Sequence, residues 1–258
     1  MAVSRLARPL LGLAVLVGAL ALWELGARAA DSFVVPPASE VAERAWQVWP
    51  TAAFLSEVGA SLKRLAAGFA IGAGIGILVG LVMGSSLTAR RALDPLVELL
   101  RATPAIAIVP ALIVIFDYGD STLVAVIAFG VCFPVLVGTI EGVRTVSPEA
   151  RDTASMLHVG RVERVTRIYF PAALPSIVAG LRVALSIGLV MVVISEFVGG
   201  QDGLGTYIQD QQNQFNPPNV YAGVLFLGLL GYVLNRLFLL VEARVLAWHY
   251  GAAGEPGR

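Results

Sequence analysis

The chain has 258 residues, of which 57% are hydrophobic and 14% charged, and its formal net charge is zero. Its mean hydropathy of +0.79 lies far above that of soluble domains, in which charged residues approach a quarter of the chain. Several apolar runs reach the roughly 20 residues needed to cross a hydrocarbon core and no barrel-like alternation occurs, so an all-α polytopic membrane protein is predicted, without the basic surface that nucleic acid would require.

The first apolar run, 9–27, follows Arg5 and Arg8. Its basic flank and Ala27-Arg28-Ala29 resemble a secretory signal. The run is long for one, however, and ends in Trp23-Glu24, so residues 1–30 are read as an uncleaved N-terminal transmembrane helix. Residues 31–56 are too polar to cross and form an extracytoplasmic segment, with 57–64 as an amphipathic lead-in to the second run, 65–87. That run carries Gly68, Gly72, Gly76, Gly80 and Gly84, one every fourth residue. The spacing puts them on one helix stripe where another backbone can approach, either as plain packing or as a face that slides between states.

The third run, 96–116, contains "LRATPAIAIVPALIVIF", interrupted by Pro104 and Pro110. Each proline removes a backbone donor, so the helix is expected to break, and freed carbonyls either line a path or mark a kink. Arg101 at its end must snorkel or face protein, because a cation at the bilayer centre costs about 2.5–3.5 kcal/mol. The fourth run, 123–143, holds the single cysteine, Cys132, read as a small core residue. The fifth, 174–198, ends near Glu196, which is either a gate or half of a helix-end ion pair. The sixth, 220–240, has Arg236 within snorkelling reach of its end, and 247–258 is a flexible tail. Cations collect on the cytoplasmic side of membrane proteins. Six spans with both termini cytoplasmic put Arg5, Arg8, Arg90, Arg91 and the cluster from Arg144 to Arg167 there.

Between the fourth and fifth runs lies a charged segment with helical patterning. Ser147-Pro148-Glu149 reads as a helix start, with a serine cap and proline at the first position. Gly160 is placed to end that helix. A second helix over 161–170 has Val162, Val165, Ile168 and Tyr169 on one face and Arg161, Arg164 and Arg167 on another; Pro171 is expected to stop it and Pro175 to open the fifth span. The segment is a solvated loop near anionic lipid, an interfacial hairpin, or an element that docks into another protein.

The spacing from Asp152 to Pro171 resembles the EAA loop of ABC importer permeases, in which Glu-Ala-Ala is followed at fixed intervals by Gly, Ile and Leu-Pro. Here the positions are Asp152-Thr153-Ala154, His158, Ile168 and Phe170-Pro171, with histidine where glycine is usual and Gly160 two residues on. Residues from about 23 to 249 are similar to the nitrate/sulfonate/taurine branch of that family. The similarity lies in "LRATPAIAIVPALIVIF" with Gly119, Phe133-Pro134, Gly142-Val143-Arg144, "PAALPSIVAGLRVAL", Glu196 with Gly203-Leu204-Gly205, and "EARVLAWH"; the branch often has Trp-Phe-Gly where this chain has Ile115-Phe116-Asp117. The resemblance implies a type I permease domain over 57–246, with a coupling loop over 147–171 in which Asp152, Ala154, His158, Gly160, Arg161, Val162, Val165, Ile168 and Pro171 meet the ATPase. Arg101, Pro104, Pro110 and Glu196 are candidate path residues.

The only lysine, Lys63, follows Leu62, so the chain has no P-loop. The resemblance therefore implies a non-catalytic subunit without a cofactor of its own, in the plasma membrane of a prokaryote. ATP and Mg would sit on partner ATPase subunits, a solute-binding protein would act outside, and a second permease subunit would complete a homodimer that carries a small organic or inorganic solute such as a sulfonate, taurine or a nitrate-like anion. A secondary transporter or an intramembrane enzyme fits less well. Glu98, Glu141, Glu196 and Glu242 fall near span ends rather than mid-span, and His158 and His249 have no partner at ligand spacing.

Overall fold

The structure, a computed structural model, describes residues 7–247, with side chains from residue 11. Arg5, the Arg8 side chain, His249 and the tail over 248–258 lie outside the described residues. The described chain is helical throughout: α1 (Ala7–Ala30), α2 (Ala38–Val48), α3 (Ala52–Ser85), α4 (Leu87–Ala102), α5 (Ala105–Phe116), α6 (Asp120–Arg144), α7 (Pro148–Met156), α8 (Arg161–Arg164), a π-helical stretch (Val165–Tyr169), α9 (Phe170–Gly199), α10 (Leu204–Asn213) and α11 (Pro217–Val245). Among these residues five helices are long and apolar enough to cross a membrane, and six if the bent pair α4–α5 counts as one span.

The core is a slab of α3, α6 and α9. Val131, Val135, Ile127, Ala184 and Val192 interlock with Leu65 and Ala73 along its middle. The glycine stripe explains how close α3 and α6 come. A Cβ on Gly72 would lie 2.4 Å from the Ala128 carbonyl oxygen, and Cβ atoms on Gly68, Gly76, Gly80 and Gly84 would meet α6 at 2.6 to 2.7 Å. Gly142 abuts Ala173 and Gly180 abuts the Pro134 carbonyl, so α9 packs on α6 in the same way. The α11 window that could span is not buried at all.

The lead-in over 57–64 is helical and runs into the second span within α3, which starts at Ala52 behind a Thr51 cap. Two expectations are corrected. In the third span only Pro104 breaks the helix: Thr103 and Pro104 take extended backbone, α4 and α5 meet at 100°, and α5 runs through Pro110. Finally, Pro171 does not stop the helix before the fifth span, which is continuous from Arg161 to Gly199. The π turn is the reason. The Phe170 N–H reaches back five residues to the Val165 carbonyl, and the shifted register leaves Pro171 in the first turn of α9, where no N–H is required.

Candidate functional site: a coupling hairpin, a cavity and an ionic hub

The hairpin over 147–171 is built by local chemistry. Ser147 caps α7 by accepting the Ala150 N–H at 3.2 Å, with Pro148 in the first turn. The Glu149 carboxyl is held below its usual range by its own backbone N–H and the Ser147 hydroxyl. Arg151 ties α7 to the spanning slab, with a guanidinium N–H donating to the Val143 carbonyl at 3.0 Å and its charge 5.8 Å from the Tyr169 ring centre.

The turn after α7 differs from the sequence expectation. His158, not Gly160, takes the left-handed conformation, with φ of +54°. The Val159 N–H bonds to the Ala154 carbonyl at 3.0 Å and the His158 N–H to the Ser155 carbonyl at 3.1 Å, a Schellman closure. Gly160 has ordinary backbone and caps α8.

The two faces of the hairpin are now distinct. Ala154 and Tyr169 are buried, and Val165 and Ile168 pack with Val143, Val146 and Ala173, so these residues hold the hairpin to its own chain. Asp152, Arg161 and Pro171 are exposed, and the apolar tip consists of Met156 (78% exposed), Leu157 (72%) and Val162 (78%). Sequence reasoning reached Val162 and missed Met156 and Leu157. They went unseen because the turn that ends α7 falls at His158 and not at Gly160.

A cavity of about 830 Å³ opens at the α4–α5 break. Arg101, Thr103 and Pro104 line it with Phe129 and Phe133 of α6 and Ser176 of α9. Arg101 also pairs with Glu98 at 3.1 Å. The other two candidate path residues, Pro110 and Glu196, are not among the residues lining this cavity.

Glu196 lies instead in a buried hub at the end of the slab away from the hairpin. Its carboxylate accepts an Arg64 N–H at 3.0 Å, the Ser61 hydroxyl at 2.7 Å and the Gly205 N–H at 2.8 Å. Arg64 also donates to Asp120 at 2.7 Å, to the Asp202 carbonyl at 2.7 Å and to the Asp202 carboxylate. Ser61 accepts the Leu204 N–H at 2.8 Å, and Glu57 accepts that of Gly203. Gly203 has φ of +112°, and a Cβ there would lie 2.3 Å from the Glu196 carboxyl group, so the turn admits only glycine. Glu196 therefore forms a helix-end ion pair. Arg64, Ser61, Asp120 and Asp202 were missed because they are 56 to 143 residues apart in sequence from their partners.

Comparison with known proteins fits this arrangement. A family model described as binding-protein-dependent transport system inner membrane component matches residues 72–247. A permease protein of Bacillus subtilis named SsuC, for aliphatic sulfonates transport, is 32% identical over 195 residues, 75% of this chain and 70% of that protein. The bicarbonate transport system permease protein CmpB of Synechococcus elongatus is 30% identical over 248 residues, 92% and 89% of the two chains. The nitrate import permease protein NrtB of Leptolyngbya laminosa is 29% identical over 190 residues, 74% and 68%. Among solved structures, an inward-facing MetNI methionine ABC transporter superposes with a TM-score of 0.64 at 18% identity, covering 78% of this chain and 96% of that one; at this identity the likeness concerns the fold. The chain belongs to the binding-protein-dependent transport system inner membrane components, the permease subunits of ABC importers.

Proposed function

We propose that two copies of this chain form the solute path of an importer for a small solute bearing an anionic group, such as a sulfonate, taurine or a nitrate-like anion. The hairpin docks on a separate ATPase that holds ATP and Mg. Both termini lie in the cytoplasm of a prokaryote, and a solute-binding protein delivers cargo to the hub end. The observation that carries the coupling assignment is the apolar tip of Met156, Leu157 and Val162, presented to water by a hairpin otherwise rich in charge. Apolar side chains held out in this way fill pockets on a partner.

The geometry suggests how the coupling works. The second arm of the hairpin and a spanning helix are one continuous helix, Arg161–Gly199, about 58 Å long at 1.5 Å per residue. Moving the tip moves α9, and α6 follows through the close contacts at Gly138, Gly142 and Gly180. ATP and the loaded binding protein bias the two states only by binding one better than the other.

The solute class is supported by relatives named for sulfonates, nitrate and bicarbonate, all anions. To test it, the binding protein recovered with the native complex is screened by thermal shift against taurine, alkanesulfonates, nitrate and bicarbonate, alongside cationic and neutral solutes. A stabilising anion that also raises ATPase turnover in vesicles is expected. A ligand with no anionic group would overturn the solute class.

A further inference from the structure

Away from the ends of the apolar runs, where Glu24, Glu98, Arg101, Glu141 and Glu196 lie, the charged side chains are Arg182 and Arg236. Arg236 has a partner, since its Nε donates to the Tyr232 hydroxyl at 3.0 Å and its charge lies 5.2 Å from that ring. Arg182 is exposed on α9 and makes no hydrogen bond or ion pair among the described residues.

Its depth removes the ordinary escape. The hairpin end of the slab is marked by the contact of Gly142 with Ala173, and the other end by that of Gly199 with Leu123. Arg182 lies about 14 Å inward from Ala173 along the helix, roughly twice the reach of its side chain. Bare exposure to lipid within the bilayer is costly, up to about 2.5–3.5 kcal/mol at its centre. Of the acids in the third and fourth runs, Glu98 is already paired with Arg101 at 3.1 Å and Glu141 with Arg144 at 3.0 Å. What remains is water and a mobile anion.

The surface around Arg182 agrees. Ser186, one turn on, is exposed on the same side of α9, and so is Ala179, one turn back. Ala179 and Val183 line the cavity at the α4–α5 break, so the exposed face of α9 runs without interruption from that cavity to Arg182.

We infer that Arg182, with the Ser186 hydroxyl beside it, is an intramembrane station for an anionic solute, a carboxylate, sulfonate or inorganic oxyanion passing along α9. The inference rests on the importer reading above and names a residue that the cavity alone does not. Arg182 supplies the fixed charge and Ser186 a hydrogen bond, while the walls stay apolar so that binding is weak enough to release.

The test needs no knowledge of the solute. Ser186→Cys is introduced into the full chain in its native membrane complex, with Cys132→Ala to remove the only other thiol. Labelling rates are then measured with anionic and cationic methanethiosulfonates. Both reagents should react, the anion faster, and adding Arg182→Gln should lower the anion-to-cation rate ratio about tenfold, as expected for a unit charge one helical turn away. Arg182→Lys should keep the ratio, and labelling by an apolar maleimide checks that each variant is folded and inserted.

Failure of both charged reagents to label position 186 while the maleimide does, or a ratio indifferent to Arg182→Gln, would overturn the inference. If the binding-protein screen nevertheless yields an anion, this inference fails alone. A solute with no anionic group would remove the proposed solute class first and this assignment with it.

Discussion

The two ends of the spanning slab solve opposite problems. At the hub end, Glu196 and Arg64 are buried and fully engaged, and the turn through Gly203 closes over them. At the hairpin end, Met156, Leu157 and Val162 stand in solvent while the backbone is held in a left-handed turn. One end is complete within the chain, whereas the other is ordered but unfilled. The contrast teaches that the hub is a fixed point for α3, α6 and α9, and that the hairpin is the end with apolar surface left to fill, as the proposed coupling to an ATPase requires.

The comparison breaks most severely at Arg64. Arg64→Met leaves the buried Glu196 carboxylate without its counter-charge, a loss of about 3–5 kcal/mol. Thermal unfolding in detergent should fall accordingly, and Arg64→Met combined with Glu196→Leu should recover much of it, since no buried charge is then left unpaired. Recovery in the double variant separates an ion-pair effect from a general loss of fold.

Between the two ends, the glycine stripe is expected to carry motion only because it first carries packing. Gly72→Val forces α3 from α6 and should cost about 1–3 kcal/mol. Gly74, two residues on, has nothing within 4 Å of an added Cβ. Gly74→Ala should therefore gain up to about 1 kcal/mol from helix propensity. Equal thermal shifts for the two would count against the close α3–α6 approach.

At the hairpin, Leu157→Asp should leave unfolding unchanged and weaken retention of the ATPase by about 2 kcal/mol, or roughly thirtyfold, as for a central interface residue. The smallest effect sharpens the comparison rather than breaking it. His158→Gly removes a left-handed strain of about 1–2 kcal/mol, offset by about 0.5–1 kcal/mol of added chain entropy in the unfolded state. A net gain of about 0.5–1 kcal/mol in hairpin stability, read by amide hydrogen exchange over α7, is expected with unchanged ATPase retention.

Much of this was legible in the sequence. The apolar runs located the spans, the fourfold glycine spacing located the α3–α6 seam, and Ser147-Pro148-Glu149 located the start of α7. What was not legible depended on geometry that spacing does not encode. A π turn carries the helix through Pro171, a histidine takes the conformation expected of a glycine, and Val165 and Tyr169 turn inward because α9 rotates with the π turn. The hub was hidden for a different reason. Arg64 reads as one more basic residue beside Lys63 on an outer segment until folding brings Asp120, Glu196 and Asp202 to it.

The most direct measurement is the composition of the complex recovered when the native chain is purified from mildly solubilised membranes, beside a Leu157→Asp, Val162→Asp variant. The account expects one P-loop ATPase chain per permease chain for the native protein and its loss from a variant that still inserts and unfolds normally. Recovery of the native chain alone, or full retention of the ATPase by the variant, would contradict coupling through the hairpin.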